Sequence, residues 1–241
     1  MIETIQQFLR QQVGSHPAVL GISGGVDSAV VAWLLRQALP HQQPIYALIM
    51  PLAITPPSEV ADAQRIVQQL NLIAITIPIQ PLMDMYGQLL PDCSANEPAQ
   101  LNLPARIRMS LLYSKANAVD GLVIGTGNKT ELLTGYFTKY GDGGVDLLPI
   151  GHLYKTQVWQ LAKQLGVFPE IINKTPSAGL RPNQTDEADL GMSYQQLDHI
   201  LQAFEQHQPV NQFPVELVQR VRQLCQAAEH KLQLPPRPVI V

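Results

Sequence analysis

Apolar positions in the first half of the chain follow two patterns. Ile2, Ile5 and Leu9 are spaced at helical intervals. The run Ile45–Met50 is continuously apolar, which is typical of a strand buried in a parallel sheet. Strands that alternate with helices at this spacing predict an α/β fold with a doubly wound parallel sheet. The predicted strands are Ala18–Ile22, Ile45–Met50, Leu72–Ile77 and Gly121–Gly125, and the predicted helices are Ile2–Val13, Asp27–Ala38, Ser58 to near Leu70, Met83–Leu90 and Ala105–Ala118.

Prolines and polar residues predict the breaks in this pattern. Pro56–Glu59 is typical of a helix start, with Ser58 as the N-cap. Pro91–Pro104 predicts a polar loop. Beyond residue 150 the pattern becomes mainly helical, so we expect a single domain over residues 1–241, with a parallel-sheet core in 1–150 and a mainly helical part in 151–241. The later helices are expected at Lys155–Leu165, Asp186–Leu190, Ser193–Gln206 and Val215–His230, before an extended tail at Pro235–Pro238.

Composition limits the classes of protein to consider. A chain of 241 residues with 46% hydrophobic content can bury the core of an α/β domain. The net charge of −3, without a block of Lys or Arg, argues against nucleic acid as the main partner. Cys93 and Cys225 form no Cys-x-x-Cys pair, which fits a reducing compartment. Met1–Arg10 is typical of an amphipathic helix start rather than a signal peptide. No apolar stretch approaches the roughly 18 residues of a membrane span. We therefore expect a soluble cytoplasmic protein with no membrane partner.

The segment Gly21–Ser28 is the first candidate for chemistry. It follows an apolar strand and precedes an apolar helix. Gly24 and Gly25 allow main-chain N–H groups to point into one concavity, and the dipole of the following helix favours an anion there. Asp27 offers a hard oxygen of the kind that magnesium prefers. We therefore predict a phosphate or pyrophosphate site.

A simpler explanation applies to the glycines alone, because a Gly-Gly pair after a strand is often only a tight turn. The full run Ser-Gly-Gly-Val-Asp-Ser between a strand and a helix is harder to explain by turn chemistry. It also lacks the Gly-Lys-Ser/Thr ending of a Walker A loop. The run resembles the pyrophosphate loop of the ATP pyrophosphatase superfamily, whose members split ATP between its α and β phosphates.

A second cluster of charged residues and glycines follows the last predicted strand, from Thr126 to Asp146. It leaves the sheet at the edge where ligands of open parallel sheets bind, which is also the edge of the Gly21–Ser28 loop. Each charge taken alone is typical of a solvated surface group. Their placement beside the loop favours a functional site. We expect Glu131 to join Asp27 around magnesium, because two carboxylates plus phosphate oxygens suit that ion.

Three segments give the chain a more specific resemblance, to the ammonia-dependent NAD synthetases. They are Gly125–Asp146, Pro176–Leu180 and Gln184–Glu187, and the resemblance extends from Gly21 to Lys231. The run Thr-Gly-Tyr-Phe-Thr-Lys-Tyr-Gly-Asp-Gly is its most restrictive part. The resemblance implies an adenine nucleotide α-hydrolase-like, Rossmann-like fold. It also implies a reaction in which the carboxylate of deamido-NAD attacks the α-phosphate of ATP, pyrophosphate leaves, and ammonia displaces AMP to give NAD.

Matching positions implies roles for individual residues. Asp27 and Lys155 are the implied catalytic residues, with Lys155 stabilising charge at the phosphates. Asp27 and Glu131 are the implied ligands of Mg²⁺. The implied ATP contacts are Gly21, Ile22, Ser23, Gly24, Gly25, Val26, Asp27, Ser28, Thr126, Lys155 and Ser177. The implied deamido-NAD contacts are Arg106, Lys139, Asp146, His230 and Lys231.

Structural explanations stay open for some of these positions. Without the family match, Arg106 is typical of a surface salt bridge. His230 is also typical of a helix end, where the dipole favours a cation. Arg108 projects from a different helix face than Arg106, which leaves a purely structural role open for it. Leu232 stands where many family members have Arg, so a substrate contact there is in doubt.

The resemblance also implies partners. It implies a homodimer with the dinucleotide site at the subunit interface, and Ala105–Ala118 is a candidate interface helix. Relatives with a similar loop after Thr126 carry a fused glutaminase domain, which releases ammonia from glutamine. Little sequence precedes Gly21 here, so free ammonia is the simpler expected nitrogen source. A separate protein that donates ammonia is the alternative.

Two other functions are alternatives to a synthetase. A tRNA-modifying pyrophosphatase would require catalytic cysteines or a basic RNA-binding extension, and neither is apparent in the sequence. A regulatory domain that only binds ATP would need fewer magnesium ligands and charge stabilisers than Asp27, Glu131 and Lys155 provide.

Overall fold

The computed structural model of the chain describes residues 1–94, 96–181 and 183–238. Four strands and twelve helices lie within these ranges. The strands are β1 (Ala18–Gly21), β2 (Ile45–Ile49), β3 (Ile73–Thr76) and β4 (Leu122–Val123). The helices are α1 (Ile2–Val13), α2 (Val26–Ala38), α3 (Pro57–Gln69), α4 (Gln80–Leu89), α5 (Pro91–Ser94), α6 (Glu97–Ala118), α7 (Lys129–Thr134), α8 (Lys155–Leu165), α9 (Pro169–Ile172), α10 (Asp186–Leu190), α11 (Tyr194–Glu205) and α12 (Val215–Leu232).

The four strands form one parallel sheet in the order β3-β2-β1-β4. Ala18 of β1 pairs with Ile45 of β2 on one side and with Leu122 of β4 on the other. Because the chain places β2 and β3 to one side of β1 and then returns to the other side, the strand order reverses between β1 and β4. This parallel sheet with flanking helices confirms the predicted Rossmann-like α/β class.

Alternating strand residues enter two separate cores. Leu20 and Ala47 face a core shared with α1, α2, α3 and α8, whereas Val19 and Leu48 face a core shared with α6. This division follows from the period-2 alternation of side chains along a strand. The first core continues past residue 150, because Val158 and Leu161 of α8 belong to it. Helices α10 to α12 build a third cluster around Tyr194 and Leu197, which are fully buried.

The prediction of a polar loop over Pro91–Pro104 is wrong. Residues Pro91–Ser94 form α5, and α6 begins at Glu97, with Asn96 as its N-cap. The Asn96 side chain accepts a hydrogen bond from the Ala99 N–H at 3.0 Å, which satisfies one of the free donors of the first turn. Pro104 lies inside α6 rather than ahead of it. Proline usually breaks a helix, so its presence favoured the loop in the sequence, and tertiary packing overrides it here.

Smaller boundary differences have local causes. Helix α3 begins at Pro57 with Pro56 as N-cap, so the predicted N-cap Ser58 lies within the first turn. Proline suits the first helical position because its missing N–H would be unpaired there. The last predicted strand is shortened to Leu122–Val123, and Ile124 continues it only as a parallel bridge to Leu147.

Candidate functional site

The carboxyl ends of β1 and β4 flank the point where the strand order reverses. β1 ends at Gly21, and the chain then runs through a short loop into α2. The segment after β4 runs through Thr126 into α7, which begins at Lys129. Ligands of open parallel sheets bind in the crevice at such a point. The two segments singled out in the sequence therefore border one crevice.

The loop after β1 is held in place by its own hydroxyl groups. Ser23 Oγ accepts a hydrogen bond from the Gly25 N–H at 3.1 Å and lies 3.1 Å from Ser28 Oγ. Ser28 Oγ also donates to the Gly25 carbonyl at 3.1 Å. Gly24 has φ +81°, and a Cβ at this position would lie 2.5 Å from the Glu59 carbonyl oxygen. Glycine is therefore required at this position by both conformation and space.

The start of α2 is open to an anion. Its N-cap is Gly25, and within the described chain no side chain caps the first turn. The N–H groups of the first helical turn have no partner inside the helix, so they can bind phosphate oxygens. This geometry is compatible with the anion site expected over Gly21–Ser28. Within that segment Ile22 is buried, and its N–H donates to the Leu48 carbonyl of β2 at 2.9 Å.

Sequence reasoning missed a cation beside this loop. Lys174 Nζ donates to the Gly24 carbonyl at 3.1 Å and lies 2.6 Å from Asp62 Oδ2. The available signal was its position just before the Pro176–Leu180 segment that carries the family resemblance. Lys174 holds the segment that follows α9 against the loop, which brings residues after it to the crevice.

The centre of the site is an almost fully buried lysine between two carboxylates. The Lys155 side chain is 3% exposed, and its Nζ lies 2.5 Å from Asp27 Oδ2 and 3.9 Å from Glu131 Oε1. Asn128 Nδ2 donates to the other Asp27 oxygen at 3.0 Å. These residues lie on or directly before three different helices, α2, α7 and α8. The structure thus brings together the residues expected to act in catalysis and to bind metal.

A capping box explains the position of Glu131. The Asn128 side chain accepts from the Glu131 N–H at 3.0 Å, and Glu131 Oε2 accepts from the Asn128 N–H at 3.1 Å. This reciprocal pair follows from the spacing Asn-x-x-Glu at the start of a helix. It leaves Glu131 Oε1 directed towards Lys155.

Burial and charge perturb the ionisation of this cluster. Burial, with the neighbouring Asp27, raises the pKa of Glu131 to about 8, against the opposing effect of Lys155. Burial alone would lower the pKa of Lys155, but Asp27 and Glu131 raise it above its ordinary value. Burial also raises the pKa of Asp186, which Lys155 opposes. Three carboxyl groups therefore share one ammonium, which leaves an excess of acidic groups.

This donor set fits magnesium. Magnesium keeps several waters and takes phosphate oxygens, so it needs only one or two carboxylates from the protein. Asp27 and Glu131 supply two, both beside Lys155. In the described part of the chain no group of three or more His, Cys, Asp or Glu residues is arranged to hold a metal alone.

A buried network fixes the backbone from which Lys155 projects. Thr130 Oγ1 accepts from the Lys155 N–H at 2.9 Å and donates to Asp198 Oδ1 at 2.6 Å. Asp198 Oδ2 accepts from the Thr156 N–H at 2.8 Å, and both Asp198 and Thr130 are fully buried. Sequence reasoning missed this network, because no motif distinguishes Asp198 from any other helical aspartate.

Two tyrosines hold Asp186 at the edge of the cluster. The Tyr194 hydroxyl donates to Asp186 Oδ2 at 2.9 Å, and the Tyr136 hydroxyl lies 3.1 Å from Asp186 Oδ1 and 2.8 Å from Asp189 Oδ2. Burial and the neighbouring acidic groups raise the pKa of both tyrosines, so they remain neutral donors. Tyr136 belongs to the run that carries the family resemblance, which was the available signal.

Four of the five residues expected at the dinucleotide lie together beside the middle of the Thr126–Asp146 segment. Arg106 is exposed and its Nε donates to the Lys139 carbonyl at 3.4 Å. Lys139 Nζ donates to the His230 carbonyl. Lys231 Nζ donates to the carbonyls of Gly135 and Phe137 at 2.6 and 2.7 Å.

Asp146 lies apart from that group. Its Oδ2 accepts from the Val123 N–H at 2.7 Å and its Oδ1 accepts from the Tyr113 hydroxyl at 3.1 Å, so it also supports the end of β4. Thr126 is partly exposed on the crevice. Ser177 is exposed, and its Oγ accepts from the Gly179 N–H at 3.1 Å. Among the described residues no hydrogen bond joins Ser177 to the Gly21–Ser28 loop.

Comparisons with known proteins identify the family of the chain. The NAD synthase family profile matches residues 1–235. The chain is 46% identical over 240 residues to the NH3-dependent NAD+ synthetase of Archaeoglobus fulgidus, covering 98% of this chain and 95% of that protein. The structure of NMN synthetase from Francisella tularensis matches with a TM-score of 0.86 and 33% identity, covering 100% of this chain and 99% of the other. The NH3-dependent NAD synthetase from Campylobacter jejuni matches with a TM-score of 0.79 and 33% identity, over 99% and 95% of the two chains.

These matches confirm the resemblance that the sequence indicated, and they extend along nearly the whole chain. The chain belongs to the NAD synthase family, and its named relatives are ligases.

Proposed function

We propose that this protein amidates deamido-NAD with ammonia in a reaction that consumes ATP and requires magnesium, and that it releases NAD, AMP and pyrophosphate. The observation that carries the proposal is the buried Lys155, held between Asp27 and Glu131 at the start of α2. A regulatory ATP-binding domain has no need for a desolvated ammonium and an acidic pair beside its phosphate loop. The family assignment supports an amide-forming ligase.

The chemistry explains why such a site is needed. A carboxylate reacts poorly with ammonia because its leaving group would be oxide. Attack of the carboxylate on the α-phosphate of ATP breaks the bond to pyrophosphate and forms an adenylate, from which ammonia then displaces AMP. Both substrates are polyanions, so the protein must position them and neutralise charge as it develops.

Each group of the crevice has a proposed task in this reaction. Ser23, Ser28 and the first-turn N–H groups of α2 bind the phosphates of ATP, and Lys155 stabilises the charge that develops on them. Thr126 and Ser177 are proposed as further ATP contacts. Asp27 and Glu131 would hold magnesium, which when bound neutralises phosphate oxygens.

The dinucleotide is proposed to bind where Arg106, Lys139, His230 and Lys231 meet, with Asp146 at the far side. Lys139 and Lys231 are held by backbone carbonyls, so their positions do not depend on the substrate. Arg106 is exposed and can turn its guanidinium to a phosphate or carboxylate.

We also propose that the protein works as a homodimer. Helix α4 buries none of its residues, and Met85, Tyr86, Leu89 and Leu90 expose about half or more of their surface. Helix α6, the expected interface helix, belongs to the same side of the sheet.

A search of the helices in the described residues found none with the length and hydropathy of a membrane span.

A second candidate substrate has a specific observation in its favour. The Francisella tularensis protein, which matches this chain over its full length, is described as an NMN synthetase. Nicotinate mononucleotide carries the same reacting carboxylate as deamido-NAD and lacks the adenylate half. The same activation chemistry would convert it to NMN.

Turnover tests these alternatives. The purified protein is incubated with ATP, magnesium and ammonium, and with either deamido-NAD or nicotinate mononucleotide, while NAD, NMN, AMP and pyrophosphate are followed. We expect NAD at one AMP per NAD, with a kcat/KM for deamido-NAD well above that for the mononucleotide. A preference for the mononucleotide would replace the proposed substrate. Glutamine in place of ammonium tests for an intrinsic glutaminase, and absence of AMP with every acceptor would overturn the ligase proposal.

A further inference from the structure

We propose that Arg108 binds a nucleotide phosphate in the crevice, and so is a substrate-contacting residue rather than a structural one. This inference rests on the proposed function. Arg108 lies on α6, and its Nε donates to the Met50 carbonyl at 3.1 Å. Met50 directly follows β2, so the guanidinium lies at the carboxyl edge of the sheet.

Two residues near Arg108, Met50 and Glu59, lie against the Gly21–Ser28 loop. The Met50 side chain lies 3.5 Å from the point where a Cβ on Gly21 would stand. Glu59, whose charge acts on Arg108, places its carbonyl 2.5 Å from the corresponding point on Gly24. The guanidinium is therefore next to the proposed phosphate loop.

The charge of Arg108 is only partly compensated by protein groups. Asp142 and Glu59 lie near enough to raise its pKa, yet neither forms an ion pair with it among the described residues. Burial outweighs both and lowers the pKa of Arg108. A partly buried cation without a paired anion is unfavourable unless a ligand supplies that anion.

The geometry of the side chain fits a phosphate. The bond from Nε to the Met50 carbonyl restrains the guanidinium, and among the described residues neither terminal nitrogen has a hydrogen-bond partner, so both can bind a ligand. Guanidinium groups bind the oxygens of a phosphate through two parallel hydrogen bonds. The phosphate can come from ATP or from the pyrophosphate of the dinucleotide, and the two sources can be distinguished by binding measurements.

Arg106 provides the contrast. Two positions along a helix lie on different faces, and Arg106 is exposed with its Nε on the Lys139 carbonyl. Arg108 instead donates from its Nε to the Met50 carbonyl, directly after β2. The two arginines therefore serve different parts of the site, and the resemblance alone identified only Arg106.

Binding of separate ligands tests the proposal. Wild type, Arg108→Gln, Arg108→Lys and the control Arg10→Gln are each titrated calorimetrically with ATP, deamido-NAD and inorganic pyrophosphate. Arg10 is exposed and paired with Glu3, so its variant should match wild type. We expect Arg108→Gln to weaken at least one ligand by about tenfold or more, and Arg108→Lys to weaken it less. Weakening with ATP and pyrophosphate assigns the contact to ATP, and weakening with deamido-NAD alone assigns it to the dinucleotide. Wild-type affinity of Arg108→Gln for all three ligands would overturn the proposal.

A second measurement avoids the risk that the variants misfold. Wild-type protein is treated with an arginine-specific dicarbonyl with and without each ligand, and the modified sites are mapped. We expect ligand to protect Arg108 and leave Arg10 reactive; equal modification of Arg108 with and without every ligand overturns the inference. These binding results are independent of turnover. A protein that binds ATP through Arg108 but forms neither NAD nor NMN refutes only the proposed function. A protein that forms NAD or NMN although no ligand protects Arg108 refutes only this inference.

Discussion

The phosphate loop and the ionic cluster lie side by side in the crevice but are built in opposite ways. The loop uses neighbours in sequence: Ser23, Gly25 and Ser28 bond one another. The cluster joins Asp27 to Lys155, which are 128 positions apart. A local structure depends on the conformations that its own residues allow, whereas the cluster depends on how three helices pack. The two regions should therefore fail in different ways when changed.

The largest effect is expected from removing the cation of the cluster. Lys155→Met should lower kcat by about a thousandfold or more, because charge on the phosphates loses its stabilising ammonium and two carboxylates lose their buried partner. Steady-state kinetics measure this. Lys163→Met, on the exposed side of the same helix, is the control and should keep wild-type kcat. A kcat for Lys155→Met within tenfold of wild type would remove Lys155 from the chemistry.

The loop should be most sensitive to an added side chain at Gly24. Gly24→Ala combines a positive φ with a Cβ 2.5 Å from the Glu59 carbonyl oxygen, so the loop must move. We expect ATP to bind roughly a hundredfold more weakly and the free energy of unfolding to fall by about 2–3 kcal/mol.

A matched glycine separates the two causes. Gly166 has φ +76° and nothing within 4 Å of an added Cβ, so Gly166→Ala has the conformational cost without the clash. Its loss of stability should be about 1–2 kcal/mol, with ATP binding unchanged. Denaturant unfolding and calorimetry compare the two. If Gly24→Ala binds ATP as well as Gly166→Ala does, the loop does not hold the phosphates.

A smaller effect is expected from the support beneath the cluster. Thr130→Val keeps the shape of the side chain and removes the hydroxyl that joins the Lys155 N–H to Asp198. We expect kcat to fall about tenfold with little change in the KM for ATP, because Lys155 is displaced while the loop is untouched. Thr130→Ser restores the hydroxyl and should recover most of kcat. Equal impairment of the serine and valine variants would show that packing, not the hydrogen bonds, matters at this position.

The same contrast explains how much of the molecule could be predicted from the sequence. The strand before the loop and the helix after it depend on local pattern, so the predicted bounds of each differ from the structure by only one residue. Glu131 was expected at the site from its place after the last strand, and its orientation follows from the local capping signal Asn-x-x-Glu, which the sequence-based prediction did not use. The roles of Asp198 and Lys174 could not be predicted, since each depends on a partner far along the chain.

Local signals also misled where tertiary structure overrides them. Pro104 favoured a loop, yet it lies inside α6 because that helix packs along one side of the sheet. Arg108 carried no local signal that distinguished it from a structural arginine, and only its contact with Met50 places it at the carboxyl edge of the sheet. Sequence pattern is thus informative within an element and weak between elements.

The last prediction concerns the acid of the cluster, whose effect on stability depends on pH. In the folded protein the pKa of Glu131 is about 8, against 4.5 as its ordinary value, because the carboxyl is buried near Asp27. Between these pH values the unfolded chain releases the proton while the folded protein retains it. The stability that Glu131 contributes is therefore fully present below pH 4.5 and is lost as pH rises through 8.

Glutamine at this position cannot ionise, so Glu131→Gln should gain stability over wild type as pH increases. Without added nucleotide or divalent cation, the difference in Tm between variant and wild type should grow from pH 4.5 to 8 by several degrees, at roughly 2–4 °C for each kcal/mol. Thermal unfolding at several pH values in that range measures how steeply this difference in Tm changes with pH. A constant offset from the altered contact with Lys155 does not affect that slope. Glu216→Gln, at an exposed position on α12, should give a nearly constant difference. A flat difference for Glu131→Gln as well would mean that Lys155 compensates Glu131 fully, and that the acidic excess attributed to the cluster does not exist in the protein without ligands.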